Sequence, residues 1–521
     1  MNTLICAGGS SLRVLKAIVN LCAIGLGPKE IRVLVVDPDG SSGNGAEVRQ
    51  AMELYMRCRE RLKDSLAADL SAFGTAFDLL ESNDTKQGLK VWSVLDAKEK
   101  LADVINYDNL SASKTSPDVA RLFFTEDELR MDLDKGFMGH TSVGAAVMSL
   151  VSLQVDRQPW RQLAEKIRQD VTQQNGSNVF IAGSVFGGTG ASALHPLCRF
   201  LRTIPDANRE RLRIGAAALV PYFSFNDSSG PRGAGPSKMA AQSQWFSLRT
   251  KAAVQFYEHL EQNGEVTFDS MFWIGDKSPI DVRYAEGGPG QQNPAHFVDL
   301  LAALACLEFF ADPSAQGNHY GGPRQREHPE LHDVNVVDWA DIPYRRMGAV
   351  QVRRQCLSFM LAAAMHVGFI DPLIHDPRLA AMPFCVPWYL QRFARKGDHF
   401  SRKVNRDDVE LLSTFLSYHH LHWWSQINEP DNVLLFNRTT FDASPDGGNV
   451  AVRLDRLRNL DRLRNLVGPD RPGERTLDGV DEFLTEMEHV PSRKSGKSGA
   501  GALLSLLLHA ADGYVDSVYH M

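Results

Sequence analysis

Phe186-Gly187-Gly188-Thr189-Gly190-Ala191-Ser192 stands between an apolar run, Asn178–Ala182, and a helical pattern over Ser192–Thr203. Clustered glycines let a backbone approach an anion with no Cβ in the way. The helix that follows turns its orphan amides and positive dipole end on the same anion, and Thr189 adds a hydroxyl donor. A tight strand-to-helix turn is the plain alternative. The phosphate-loop reading gains because this stretch is one of several of its kind.

Working outward, the first 230 or so residues alternate strand and helix patterns. Thr3–Cys6 is an apolar run ended by Ala7-Gly8-Gly9-Ser10-Ser11, and Leu12–Cys22 has helical periodicity. Ile31–Val36 is a β-branched run closed by Asp37-Pro38-Asp39-Gly40, followed by an amphipathic helix over Glu47–Leu66. Leu89–Val94 reads as a strand, and Val143–Val155 and Trp160–Val171 read as helices. Arg213–Val220 is the strand after the glycine loop. This alternation predicts a parallel sheet covered by helices. Ligands of such sheets bind at the carboxyl ends of the strands, where all these glycine turns fall.

Beyond it, a helix near Gln242–Gln262, a strand at Ser270–Ile274 and a glycine-glutamine turn at Gly287–Gln292 lead to Phe297–Phe310. That last stretch is apolar on every face, which predicts a helix buried all round. Gly317–His332 reads as an exposed excursion, and helices follow near Arg354–Val367, Asp408–Gln426 and Val480–His489. The hexapeptide Leu-Asp-Arg-Leu-Arg-Asn occurs twice, from Leu454 and from Leu460, a local duplication on one amphipathic helix, and Ser492–Gly501 has linker composition.

Composition sets limits on function. The 521 residues are 43% hydrophobic and 23% charged with net charge −7, which is globular and speaks against a dedicated nucleic-acid binder. Seven scattered cysteines without a Cys-x-x-Cys pair predict reduced, buried thiols rather than disulfides or a zinc ribbon. The most apolar stretches, Leu300–Phe310 and Leu503–Leu508, fall short of the roughly 18 residues a membrane span needs. With no basic leader before the first strand, the expectation is a soluble cytoplasmic protein.

Two familiar nucleotide signatures are missing. A Walker loop ending in Gly496-Lys497-Ser498 would need glycine where Pro491 stands, and Ala7–Leu12 fails the Gly-x-Gly-x-x-Gly pattern of nicotinamide-type enzymes. His419-His420-Leu421-His422-Trp423-Trp424 has no i, i+4 histidine pair for a metal and reads as aromatic packing. Cys198 and His195 lie one turn apart with no oxyanion hole implied, so core and surface positions suit them better than a nucleophile and its base.

Taken in order, the motifs over roughly residues 1–345 resemble the tubulin and FtsZ superfamily of GTPases. Gly187–Gly190 is similar to that family's Gly-Gly-Thr-Gly phosphate loop, and Gly8-Gly9-Ser10 to its first loop. Asp37 or Asp39 matches the acidic residue of its second loop, and Gly136-Phe137-Met138-Gly139-His140-Thr141-Ser142-Val143-Gly144 its third, a glycine turn opening a helix. Val220–Asn226 resembles a segment near the ribose, with Asn226 where glutamate is usual. Phe186 and Ser192 replace loop glycines. Asn335-Val336-Val337-Asp338-Trp339-Ala340-Asp341-Ile342 resembles the synergy loop, with one residue inserted. In that family this loop reaches the next subunit's nucleotide, and its carboxylates orient the attacking water.

The resemblance implies an α/β fold: a parallel-sheet nucleotide-binding domain over residues 1–296, a central buried helix and synergy-like loop over 297–345, and a divergent α+β C-terminal domain over 346–521. It implies phosphate contacts from Gly8, Gly9, Ser10, Gly187, Gly188, Thr189 and Gly190, with Gly136 and Gly139 of the third loop also binding the nucleotide. Asp37 is its acidic position, Asn226 and Asn293 its base or ribose contacts, and Asp338 and Asp341 its catalytic carboxylates. GTP or GDP with Mg²⁺ is the expected cofactor. The expected partners are head-to-tail copies of the chain, because a contact that does not close propagates as a filament, and a protein bound by the C-terminal region. The divergent loops keep a second reading open, a non-hydrolysing scaffold that binds nucleotide structurally.

Overall fold

The computed structural model describes residues 1–80, 88–95, 99–110, 116–173, 176–225, 243–265, 268–283, 285, 288–314, 316–322, 324–325, 335–342, 348–371, 406–430, 432–436, 480–491 and 499–519. Its centre is a parallel sheet. Strands β1 (Asn2–Ala7), β2 (Glu30–Val36), β3 (Ala76–Leu79), β4 (Val91–Trp92), β5 (Ser177–Ser184), β6 (Leu212–Leu219), β8 (Ser270–Ile274) and β10 (Gly317–Gly321) form it, in the order β10-β8-β6-β5-β1-β2-β3 with β4 also on β2. Every pairing in it is parallel, as in Leu4 opposite Val33 and Phe180. Small parallel pairs β7 (Phe223–Phe225) with β9 (Ile280–Val282) and antiparallel β11 (Arg324–Gln325) with β12 (Asn335–Val336) lie outside it.

The two-residue period of a strand sends alternate side chains to opposite faces, and both faces are covered. Leu4 and Cys6 of β1 enter one core, and Ile5 and Ala7 the other. The first core holds α1 (Gly9–Ile24), α2 (Gly43–Leu62) and α7 (Phe297–Ala311). The second holds α3 (Thr141–Met148), α4 (Trp160–Thr172), α5 (Thr189–Thr203) and part of α6 (Phe246–Gln262). Helix α7 is buried on all sides, with Leu304 1% exposed, as its apolar sequence predicts. The Phe297–Phe310 stretch is therefore a core helix.

In the C-terminal region the described elements are helices. These are α8 (Ala349–Met365), α9 (Arg406–Thr414), which runs through a π-helical stretch Phe415–Leu421 into α10 (His422–Ile427), then α11 (Val480–His489) and α12 (Ala500–Tyr519). They extend the first core through residues such as Trp423, Leu507 and Phe359, so no strand of the expected α+β arrangement occurs among the described residues there. The hexapeptide repeat and most of the Ser492–Gly501 stretch lie outside the described residues. Among the described residues no helix is long and apolar enough to cross a membrane.

Part of the expected excursion is sheet. Gly317-Asn318-His319-Tyr320-Gly321 pairs with β8 as an outer strand, although it has no β-branched residue to announce it.

Candidate functional site

The carboxyl ends of β1, β2 and β5 open onto one cleft. It is lined by Gly8, Gly9 and Ser10, by Asp37 and Asp39, by Gly136–Gly139, and by Ser184 with Phe186–Gly190. Phe223, Phe225, Phe246, Ala285 and Gln291 complete the wall. Three glycine turns far apart in sequence thus meet in one place.

Their packing shows why glycine is needed. Gly8 has φ +81°, and a Cβ on it would stand 3.0 Å from the Thr189 Cβ. A Cβ on Gly188 would stand 2.9 Å from both the Gly139 nitrogen and the Phe137 Cβ. Helices α1 and α5 begin at these turns with Gly8 and Gly188 as N-caps, and neither has a side-chain cap. Their first-turn N–H groups therefore face the cleft as donors suited to an anion.

Ser192, which replaces a loop glycine, does structural work. Its hydroxyl donates to the Gly188 carbonyl at 2.7 Å, and Gly144 leaves it room, since a Cβ there would lie 2.2 Å from the Ser192 oxygen. Phe186 joins an aromatic wall with Phe223 and Phe246, at ring separations of 5.3 and 4.8 Å.

The two acidic residues of the second loop part company. Asp37 is buried in the wall and hydrogen-bonded with Thr189, and burial pushes its carboxyl up to about 7 against the pull of the Asp39 N–H and Thr189. Asp39 is committed elsewhere: its carboxylate accepts the Gly288 N–H at 2.7 Å and the Ser41 N–H at 3.1 Å. Asn44 supports the same connection, donating its N–H to the Gln291 carbonyl and accepting the Asn293 N–H. This brings the Gln291 side-chain amide over Gly9.

Gln291 was not singled out by sequence, because nothing in a glycine-glutamine turn tells which amide enters a cleft 280 residues upstream. Asn293, which was singled out, is not among the lining residues and is tied to Asn44 through its backbone. Asn226 lies outside the described residues.

Asp338 and Asp341 are not in the cleft. The Asp341 carboxylate is buried and accepts the Asp338 N–H at 2.9 Å. The Trp339 ring lies 6.2 Å from that of Trp424 at a tilt of 51°, and Gln426, two residues on, accepts the Ala295 N–H just before α7.

Behind the cleft lies a buried polar cluster. Tyr222 donates to Asp299 at 2.9 Å, Arg13 bonds Tyr222 and stands 3.4 Å from Asp299, and the His296 N–H is accepted by Asp299. Burial pushes His296 down to about 3, so it is neutral. The Cys198 thiol, buried and pushed up to about 12, has no reactive character.

Among the described residues no group of three side chains could hold a metal ion unaided. A cation here would rely on Asp37 and on oxygens of a bound ligand.

Residues 4–236 match a family model described as tubulin like. The tubulin-like segment carries all three glycine turns and Asp37, whereas Phe246, Ala285 and Gln291 lie beyond it. No curated protein matches the chain.

Proposed function

We propose that this protein binds a guanine nucleotide, with its phosphates on the turns at Gly8–Ser10, Gly136–Gly139 and Gly187–Gly190. The observation that carries this is the convergence of those turns, with two uncapped helix N-termini, on one cleft at the strand ends. Guanine is favoured over adenine by the tubulin-like match.

Asp37 suits a nucleotide that arrives with Mg²⁺: a buried carboxyl lifted to about 7 gains most when a cation offsets its charge. The bound ion would screen phosphate charge. The chain's part is to fix the phosphates with backbone amides, hold the cation through Asp37, and cover Gly9 with the Gln291 amide.

The geometry favours nucleotide as a bound structural or switching ligand. A split site completed head-to-tail needs carboxylates free to reach the neighbouring subunit, whereas the buried Asp341 carboxylate holds the Asp338 N–H. Hydrolysis on assembly is the second reading, supported by the synergy-like sequence itself. Purified protein analysed for co-purifying nucleotide, then titrated with GTP, GDP, ATP and NAD, tests the proposal. Selective guanine nucleotide binding is expected, and selective NAD or ATP binding would overturn it. Turnover rising steeply with protein concentration would favour the second reading.

A further inference from the structure

A second, larger cavity lies away from the cleft. It is a groove of about 1180 Å³ between α6 and the strands β8 and β10. Its surface includes Tyr257, the edge of Trp273 and Tyr320, whose side chain is 77% exposed. One wall is acidic: Glu258 and Glu261, three apart, share a face of α6, and Glu265 stands on the turn after the helix, where its N–H returns to the Leu260 carbonyl. All three are exposed, and no lysine or arginine among the described residues pairs with them.

Asp269, at the end of the groove, differs in being matched by Arg202 and Arg213. Lys277 is the one lysine or arginine among the described lining residues. β10 is the last strand on this side of the sheet among the described residues.

We propose that this groove docks an extended, lysine- or arginine-rich peptide segment of a partner protein. Glu258 and Glu261 stand about 4.5 Å apart along the helix axis, and Glu265 continues the wall past the helix end. An extended chain repeats its side chains on one face every ~6.8 Å, so cations at alternate positions reach the three carboxylates on flexible stems. The residues between them lay apolar groups on Tyr257, Trp273 and Tyr320. Charge complementarity selects the occupant, because an acidic segment would meet three exposed carboxylates of like charge. Neither the phosphate turns nor Asp37 contributes to the groove, so docking is independent of the nucleotide reading.

The test is fluorescence anisotropy of the full chain with a dye-labelled twelve-residue peptide of alternating lysine and valine. Its counterpart of alternating glutamate and valine is run alongside. Saturable binding of the lysine peptide at low salt, weakening as salt rises, is expected, with none by the glutamate peptide.

The triple variant Glu258→Lys, Glu261→Lys, Glu265→Lys should weaken binding by about tenfold or more. A control of the same net charge, Glu53→Lys, Glu60→Lys, Asp64→Lys on and after α2, should leave most of it. Equal loss in both variants, or binding indifferent to the groove variant, overturns the proposal. So does concentration-dependent self-association abolished by the groove variant, which would make a second copy the occupant. Unchanged melting temperatures show that the variants fold.

Discussion

The Arg13 guanidinium of α1 stands 3.4 Å from the Asp299 carboxylate of α7, and both are buried. Tyr222 bridges them, so the helix that opens at the first glycine turn is tied to the central helix and to the aromatic wall of the cleft. Burial pushes the Asp299 carboxyl up, against the pull of Arg13 and the Tyr222 hydroxyl.

Removing one partner of this pair should strand the other. Arg13→Met is expected to lower unfolding free energy by about 3–5 kcal/mol, and Arg13→Met with Asp299→Leu by clearly less. Urea denaturation of the single and double variants measures both. A double variant as damaged as the sum of its parts would show that the two side chains do not interact.

Asp37 gives the cleft a pH dependence. Its folded value of about 7 lies above the ordinary carboxyl range, so its stabilising neutral form is lost as pH rises toward and through 7. Without a divalent cation, GDP affinity should therefore fall between about pH 6 and pH 8, as the ionised carboxylate repels phosphate. Asp37→Asn should flatten that profile, and Mg²⁺ should flatten it for the unaltered protein. A wild-type profile matching that of Asp37→Asn would remove Asp37 from the phosphate region.

What could be read from sequence was periodic or punctuated. Val179–Ala182 alternates between two cores and ends in glycines, and Phe297–Phe310 is apolar on all faces, so strand, turn and buried helix follow from local chemistry. Gly317–Gly321 could not be read this way, because a strand at a sheet edge need not be apolar. Gln291 reaches the cleft only through the Asp39–Gly288 and Asn44 contacts, pairings across about 250 residues that carry no local signal.

The C-terminal helices should loosen in acid. His419 and His420 sit buried between these helices and α1, pushed down to about 4 and about 3, chiefly by burial. The His420 Nδ1 pairs with the Asn20 side-chain oxygen at 3.2 Å, while its Nε2 has no hydrogen-bond partner. In the unfolded chain each imidazole takes a proton near pH 6.5, so stability is full above that value and lost as pH falls toward the folded values. His420→Asn should reduce the slope of stability against pH by up to about 1.4 kcal/mol per unit. Chemical denaturation from pH 7 to pH 5 measures the slope, and an unchanged slope would contradict the burial argument.

Asp341 should matter to structure more than to turnover. Its carboxylate accepts the Asp338 N–H in a buried setting, so Asp341→Ala should cost about 1–3 kcal/mol. Asp338→Ala should leave nucleotide affinity and any turnover near wild type. A fall of about 10²-fold or more in turnover for Asp338→Ala, with unchanged melting, would instead support carboxylates acting on a neighbour's nucleotide.

The central claim is that the three glycine turns form one phosphate site, and calorimetric titration with Mg²⁺–GTP measures it most directly. Gly188→Val places a branched side chain where even a Cβ would stand 2.9 Å from the Gly139 nitrogen, closing the junction of two turns. Wild type should bind one nucleotide saturably, and folded Gly188→Val, checked by circular dichroism, should bind none. Wild-type affinity in the folded variant, or no binding of GTP or GDP by wild type, would contradict the account.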